Sequence, residues 1–329
     1  MFSGQLADRG NHIFSDFAAA FTEVSMGKKR LDLPFLILLC VCGAAILACA
    51  AYLLYNYVYL PAHIGRQNAR YEALYQPQAS GTPDVLPSTA PTPTPEEADV
   101  ADIPLRTPDP DTIVYAFPTP PPVQESFSAL LALNPETVGF LTIGDLITLP
   151  VAQRQNDNEF YLKHNFEGAE SQQGCLFLDG VNRLALSDKL LIVYGHNMKN
   201  GTMFGRLTNY AFKSVMRTYA VISFDTIYEN RRYVPFACFA LTADSSEASY
   251  MELRKFQFTQ SQFDDYIAQL RERSLLDIPV DVQYGDDVLL LVTCNYSVDD
   301  GRFCVAFRKL RDGERAEDAQ ALVDQAKEK

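Results

Sequence analysis

The feature that most constrains this chain is an apolar run near its N-terminus. No Asp, Glu, Lys or Arg interrupts the sequence from Leu33 to Gly65. Its core, residues 35–54, would span about 30 Å as a helix, the thickness of the hydrocarbon of a bilayer. Basic residues at 28–30 precede the run, and tyrosines crowd its far end. This arrangement predicts a single transmembrane anchor over 33–60, with residues 1–32 cytoplasmic and the remainder of the chain outside the cell.

Two other interpretations of the run are a cleaved signal peptide and a lipoprotein signal. A signal peptide needs a short basic region and only ~7–15 apolar residues. Here the basic cluster begins as late as residue 28, and the apolar run is longer. Residues 46–48 before Cys49 loosely resemble a lipoprotein cleavage site. The length of the run favours an uncleaved anchor.

Charge and cysteine usage exclude several classes of function. The formal net charge is -13 and no basic stripe is present, so the chain lacks the clustered cations that bind nucleic acid. Beyond the apolar run no cysteine forms a C-x-x-C pair or lies at zinc-site spacing from a histidine. We therefore expect no metal and no cofactor. A disulfide among Cys175, Cys238 and Cys304 stays open, because spacing cannot pair them.

The rest of the chain divides by composition. Thirteen of the nineteen prolines lie between Pro77 and Pro122, which predicts an extracellular Pro-rich linker over 61–125 that holds a domain away from the membrane. An SH3-type ligand is the alternative interpretation of this segment. Residues 126–310 are long enough to bury one core. Residues 311–329 are a charged C-terminal tail, predicted to be a frayed helix.

Strand patterns dominate the folded domain. Residues 190–194 and 288–292 are continuous apolar runs, typical of strands that are buried on both faces. Phe303, Val305 and Phe307 alternate with smaller or polar residues, which predicts a half-buried strand. One helix is clear, because Thr259 and Gln262 form a capping-box pattern before an apolar stripe. The stripe consists of Phe263, Tyr266, Ile267 and Leu270. The fold class is therefore mainly β with flanking helices.

Two candidate reactive residues follow the apolar strands. Cys294 ends the strand at 288–292, and His196 follows the strand at 190–194 after Gly195. A cysteine nucleophile acts as the thiolate, and an adjacent imidazole raises the thiolate fraction. A plain core cysteine is the other interpretation of Cys294. His164 lacks a comparable position and is interpreted as a structural residue.

Arg302 lies eight residues after Cys294 and opens the next strand. If the two strands pair, its guanidinium can donate hydrogen bonds to an oxyanion formed at the cysteine. An ion pair with Asp299 or Asp300 is the alternative. Arg308 lies about 20 Å further along the strand and is a weaker candidate.

Together these motifs resemble the sortase family of Gram-positive bacteria. A Thr-Cys pair with an Arg eight residues on is similar to its cysteine signature, and YGHN is similar to its histidine motif. Segments 134–153, 156–168 and 174–183, and the helix ending at 271–277, resemble class B sortases and follow in the same order. The resemblance covers about residues 127–310. Two departures are Asn295, where members often have an acid, and Val292, where they tend to have Ser.

The resemblance implies a closed mixed β-barrel flanked by helices and a membrane-anchored cysteine transpeptidase. Such an enzyme cleaves an NPxT-type sorting signal of a secreted protein after Thr, and transfers the resulting acyl group to an amine of peptidoglycan. Cys294 would be the nucleophile, His196 the acid/base and Arg302 the oxyanion or substrate clamp. The implied substrate-binding residues are Asn158, Leu162, Tyr194, Thr293 and Tyr250. A pilus-related sortase, a hydrolytic cysteine peptidase and an inactive membrane-tethered peptide-binding module are the alternatives.

Overall fold

The structure is a computed structural model that describes residues 33–75, 120–186, 188–248, 250–295 and 301–329. The chain forms two compact units, Met1–Leu60 and Pro61–Lys329. The helices are α1 Leu33–Leu54, α2 Leu60–Leu74, α3 Ser128–Leu133, α4 Phe160–Lys163, α5 Lys213–Thr218, α6 Gln260–Arg273 and α7 Ala316–Val323. The strands are β1 Thr137–Ile143, β2 Ile147–Ala152, β3 Leu176–Leu178, β4 Leu190–Tyr194, β5 Ile222–Thr226, β6 Arg232–Thr242, β7 Leu276–Asp277, β8 Val288–Asn295, β9 Gly301–Lys309 and β10 Lys327–Glu328.

The first unit contains the predicted apolar helix. Helix α1 has 22 residues, none of them charged or buried. A π-helical turn, Tyr55–Tyr59, follows it. Within the described ranges, the helical segment Leu33–Leu74, which begins with α1, is the one with the length and hydropathy needed to cross a membrane.

The second unit is built around a closed barrel of eight strands in the order β1-β2-β3-β4-β8-β9-β6-β5. The pairs β2–β3 and β4–β8 are parallel, and the other six pairs are antiparallel. The mixed barrel predicted by the resemblance is therefore confirmed. Closure removes every open edge from these eight strands, so all of their backbone groups can pair within the sheet.

The predicted strands and helix occur where the patterns place them. Strands β4 and β8, which pair with each other, are buried along their apolar runs. Both faces of these strands are therefore covered, as continuous apolar runs predict. Thr259 caps α6 through a complete capping box with Gln262, and the four stripe residues of that helix are buried. The prediction for β9 is wrong in one respect. The small residues Cys304 and Ala306 are as buried as their large neighbours, so both faces of the strand are covered.

The segment assigned to the linker begins as part of the folded domain. Tyr71 and Tyr75, at the end of α2, are buried in a second apolar cluster with Phe127 and Phe140. The Tyr75 ring stacks on Phe140 with centroids 4.4 Å apart, and its hydroxyl donates to Asp225 at 2.8 Å. Residues 61–75 therefore belong to the domain, which corrects the predicted start of the linker. Most of its proline-rich part, 76–119, lies outside the described residues.

The C-terminal segment is packed rather than frayed. Ala319, Val323 and Ala326 are buried, and β10 pairs with β7. The guanidinium of Arg217 donates to backbone carbonyls of the segment, including that of Ala326 at 3.5 Å. The high charge of the tail concealed three small apolar residues that fit against the barrel, so the prediction of a frayed end is wrong.

Candidate active site

The backbone brings His196 and Cys294 to the same level of the barrel. Strands β4 and β8 run parallel, with Tyr194 opposite Val292, and the amide of Gly195 donates to the carbonyl of Val292 at 3.2 Å. Both candidate residues lie two positions beyond that pair. Adjacent strands are about 4.8 Å apart, so the backbone places positions 196 and 294 next to each other.

Arg302 occupies the same row on the other side of β8. In the antiparallel pair of β8 and β9, Cys294 lies directly opposite Arg302. Opposed residues in such a ladder have Cα atoms about 4.5–5.5 Å apart. Arg302 is half-buried, and its Nη1 donates to the carbonyl of Gly301 at 3.0 Å. The three candidate residues are therefore neighbours along the backbone: His196 two residues beyond β4, Cys294 on β8 and Arg302 opposite it on β9.

The imidazole of His196 is oriented by a backbone carbonyl. Its Nε2 lies 2.7 Å from the carbonyl oxygen of Leu162. Because a carbonyl oxygen only accepts, this contact assigns the proton to Nε2 and leaves Nδ1 of the neutral ring as the acceptor. Leu162 thus contacts the site through its backbone, a role that its side-chain character did not suggest.

Two glycines allow this close packing around His196. A Cβ on Gly195 would lie 2.4 Å from the Leu176 side chain and 2.8 Å from the Phe204 ring. Gly174 has a φ of +62°, and a Cβ there would lie 2.4 Å from the carbonyl of Tyr161. A side chain at either position would displace the elements that hold the imidazole.

The other cysteines of the domain are poor nucleophiles. Cys175, Cys238 and Cys304 are buried free thiols, so none of them forms the disulfide left open by the sequence. Burial raises the pKa of the Cys238 thiol to about 11. Burial likewise raises the pKa of the Cys175 and Cys304 thiols far above its usual range. These thiols stay protonated at neutral pH, which leaves Cys294 as the domain cysteine at a strand end beside a histidine.

His164 and Arg308 have other partners. The His164 ring stacks on Phe160 at a centroid distance of 3.9 Å, and its Nδ1 lies 2.8 Å from the Phe160 carbonyl. Arg308 is 1% exposed, and its guanidinium meets the carboxylate of Glu314 through two bonds of 2.6 Å. These contacts are those of structural residues; the sequence suggested this role for His164, and it ranked Arg308 below Arg302 as a candidate for the site.

Two of the predicted substrate-binding residues, Tyr194 and Asn158, contact the carboxylate of Asp179, which the sequence analysis did not identify. The Asp179 side chain is fully buried and accepts from the Tyr194 hydroxyl at 3.0 Å and from Asn158 Nδ2 at 3.1 Å. Arg254 donates to the same carboxylate through Nε at 2.8 Å and Nη2 at 3.1 Å. Burial, followed by the charge of Asp179, raises the pKa of the Tyr194 hydroxyl far above its usual range. An acid directly after the apolar strand β3 was the signal that could have identified this cluster.

The two other predicted substrate-binding residues with side chains to consider are Thr293 and Tyr250. Thr293 is 2% exposed, and its Oγ1 has no hydrogen-bond partner among the described residues. Any contact of Thr293 with a ligand would therefore come from its backbone. Tyr250 lies four residues before Arg254, and its hydroxyl donates to Glu252 at 3.0 Å. Across the described part of the chain, no three His, Cys, Asp or Glu side chains are grouped as metal ligands.

A closed mixed barrel with a cysteine, a histidine and an arginine at neighbouring positions is the arrangement that the resemblance implies for a cysteine transpeptidase of the sortase type. No protein-family model matches the chain. It is 33% identical over 178 residues to sortase B of Listeria monocytogenes, an alignment covering 54% of this chain and 70% of that protein. The chain belongs to the sortase B family.

Solved structures of the same family share the fold. The sortase B of Bacillus anthracis in complex with AAEK1 has a TM-score of 0.51 and 27% identity, covering 57% of this chain and 86% of that one. The Staphylococcus aureus sortase B–substrate complex has a TM-score of 0.51 and 25% identity, covering 57% of this chain and 86% of that one. As a member of this family, the chain is a cysteine transpeptidase of the cell envelope.

Proposed function

We propose that the enzyme cleaves an NPxT-type sorting signal after its Thr and transfers the protein to an amine of peptidoglycan. The observation that carries this proposal is the backbone position of His196, just after β4, next to Cys294 on β8, with Arg302 opposite Cys294 on β9. The Staphylococcus aureus relative forms a sortase B–substrate complex, which supports substrate binding by this barrel. The implied clients are secreted proteins that carry such a signal.

In the first step Nδ1 of His196 takes the proton of the Cys294 thiol, and the resulting thiolate attacks the carbonyl carbon of the Thr residue. The carbonyl oxygen becomes an oxyanion, to which Arg302 donates hydrogen bonds. The amide C–N bond then breaks, and the leaving nitrogen takes a proton from the His196 imidazolium. The product is a thioester between Cys294 and the protein. The carbonyl of Leu162 holds the imidazole in position through Nε2, so Nδ1 is the atom that exchanges the proton in this scheme.

In the second step an acceptor amine attacks the thioester. The amine loses a proton to His196, the C–S bond breaks, and the thiolate of Cys294 is restored. Water in place of the amine would give hydrolysis, which is how a peptidase differs from a transpeptidase at the same site. Helix α1 serves in this proposal as the anchor that holds the enzyme in the membrane, with the barrel on the outer side.

The test is mass spectrometry of the full-length chain in detergent, incubated with an NPQTN peptide and an amine such as triglycine. We expect an acyl adduct on Cys294 that disappears as the amine-linked product forms. Cys294→Ala should abolish both the adduct and turnover, whereas Cys175→Ala, a matched cysteine removal, should keep the adduct. An adduct on another cysteine would contradict the assignment of the nucleophile, and a hydrolysed peptide alone would contradict the transfer.

A further inference from the structure

A groove of about 700 Å³ adjoins the Asp179 cluster, because Arg254 lines the groove and also binds Asp179. Three of its lining side chains are cationic, Arg183, Arg254 and Lys255, and one is acidic, Asp188. The acid is already engaged, because Asp188 accepts from the backbone amide of Arg183 at 2.8 Å and lies 3.8 Å from its guanidinium. Asp188 thus offsets the charge of Arg183, and Asp179 offsets that of Arg254, so Lys255 gives the groove a net positive charge on a chain whose net charge is -13.

Arg254 is fixed in this groove by the buried carboxylate behind it. Its side chain is 46% exposed, whereas that of Asp179 is fully buried. Nε and Nη2 each donate one hydrogen bond to Asp179. A guanidinium carries five N–H donors, so the others remain available on its exposed side. The arginine is therefore held in one orientation before any ligand arrives, which lowers the entropy lost on binding.

The groove extends away from the row of candidate catalytic residues along β4. The amide of Asp179 donates to the carbonyl of Ile192 at 2.8 Å, and Asn182 Nδ2 donates to the carbonyl of Leu190 at 2.7 Å. Residues 179–183 therefore pass beside β4 toward its first residue, and carry Arg183 with them. From Tyr194 to Leu190 the strand covers about 13 Å, which is also the length of four extended residues of a peptide.

We propose that this groove binds carboxylate side chains of the substrate polypeptide upstream of the cleaved motif, with Arg254 as the specificity-determining residue and Lys255 as a second cation. The inference rests on the proposed function, because it places the four-residue motif beside Tyr194 and Asn158. Residues before the motif then reach the groove. The substrate polypeptide is favoured over the acceptor because the Asp179 cluster joins Arg254 directly to those two positions.

The experiment compares two fluorescent peptides with the full-length chain in detergent. Both contain NPQTN, preceded by two Glu residues in one peptide and by two Gln residues in the other. We expect kcat/KM to be about three- to tenfold higher for the Glu peptide at low salt, and the preference to shrink as salt screens the charges. Fluorescence anisotropy of the same peptides measures the binding preference without turnover.

Variants test which cations cause the preference. Lys255→Glu should reduce the Glu/Gln ratio to about one or below, since it reverses a charge in the groove. Lys213→Glu, the same change at the start of α5 outside the groove lining, should keep the ratio. Arg254→Lys should lower it, because an ammonium cannot bind both Asp179 oxygens as the planar guanidinium does. Arg254→Gln would leave the buried Asp179 unpaired, so misfolding of that variant decides nothing by itself.

Three outcomes would overturn the proposal. Equal kcat/KM and equal binding of the two peptides, with normal turnover, would show that the groove does not bind carboxylates of the substrate. The proposed transpeptidase activity would still stand. If neither peptide is turned over, the proposed signal fails, and equal anisotropy of the two peptides then removes the groove as well. Lys255-dependent binding of a peptidoglycan stem peptide, without binding of the Glu peptide, would assign the groove to the acceptor.

Discussion

Two arginines on strand β9, Arg302 and Arg308, have the same chemistry and different surroundings. Arg308 lies at the base of the barrel opposite Val288, and Glu314 neutralises it through two short hydrogen bonds. Arg302 lies at the other end of the strand, half-buried and opposite Cys294. A buried arginine whose charge is matched by an acidic partner stabilises the fold, whereas an arginine opposite a candidate nucleophile is placed to meet charge that develops during a reaction.

The largest effect that this comparison predicts is on turnover. Arg302→Ala should lower kcat/KM by about 10²–10³-fold, because it removes the donors to the oxyanion. The melting temperature, followed by circular dichroism of the full-length chain in detergent, should change little. Arg302→Lys should recover only part of the activity, since one ammonium cannot replace the planar fork. Near-normal turnover in Arg302→Ala would place the oxyanion site elsewhere.

At the base of the barrel we expect the opposite result, a loss of stability with little change in activity. Arg308→Ala should lower the free energy of unfolding by about 2–4 kcal/mol, because it leaves Glu314, 19% exposed, without its partner. The activity of the protein that remains folded should be close to that of the wild type. Thermal melting and active-site titration of the same preparation separate the two quantities. A loss of kcat/KM as large as that of Arg302→Ala would break the comparison.

Sequence patterns predicted the positions of the candidate catalytic residues better than the contacts of the residues around them. His196 and Cys294 come at the ends of apolar strands, and Arg302 opens the strand after Cys294, so their neighbouring positions could be predicted from pattern and loop length. Asp179 could not, since one acid after a strand does not show which partners the barrel brings to it.

The docking of α2 was missed for a different reason. Tyr71 and Tyr75 stand next to a segment dominated by proline, and composition averaged over that segment conceals two tyrosines that pack on the barrel. The buried alanines of the tail were concealed in the same way by their charged neighbours. Short apolar contacts made across long sequence separations leave little local pattern.

Tyr75, far from both arginines in the sequence, provides a further test of whether a residue can contribute to stability without contributing to catalysis. Tyr75→Phe keeps the ring stacked on Phe140 but removes the hydroxyl that donates to Asp225 at 2.8 Å. Burial raises the pKa of Asp225, so losing this donor makes its charged form still less favourable. We expect a loss of about 1–2 kcal/mol in the free energy of unfolding, with unchanged kcat/KM. An unchanged melting temperature would show that residues 61–75 do not belong to the domain.

The smallest effect, on Glu314, depends on pH and sharpens the comparison at the base. Hydrogen bonds from Arg308 hold the pKa of Glu314 below its ordinary value of 4.5. A carboxylate whose pKa is lowered in the folded state contributes stability that is present above the unfolded pKa and is lost as pH falls through the folded pKa. Glu314→Gln should therefore cost about 1 kcal/mol at pH 7, where only the wild type carries the charge.

The difference between Glu314→Gln and the wild type should then shrink below pH 4.5 and vanish once Glu314 is protonated, because the neutral acid resembles the amide. Melting curves of both proteins between pH 3 and pH 8 measure this difference directly. A constant difference down to pH 3 would mean that the charge of Glu314 contributes nothing and that only its shape matters. Arg308 would then be a packed side chain rather than half of an ion pair, and its contrast with Arg302 would rest on burial alone.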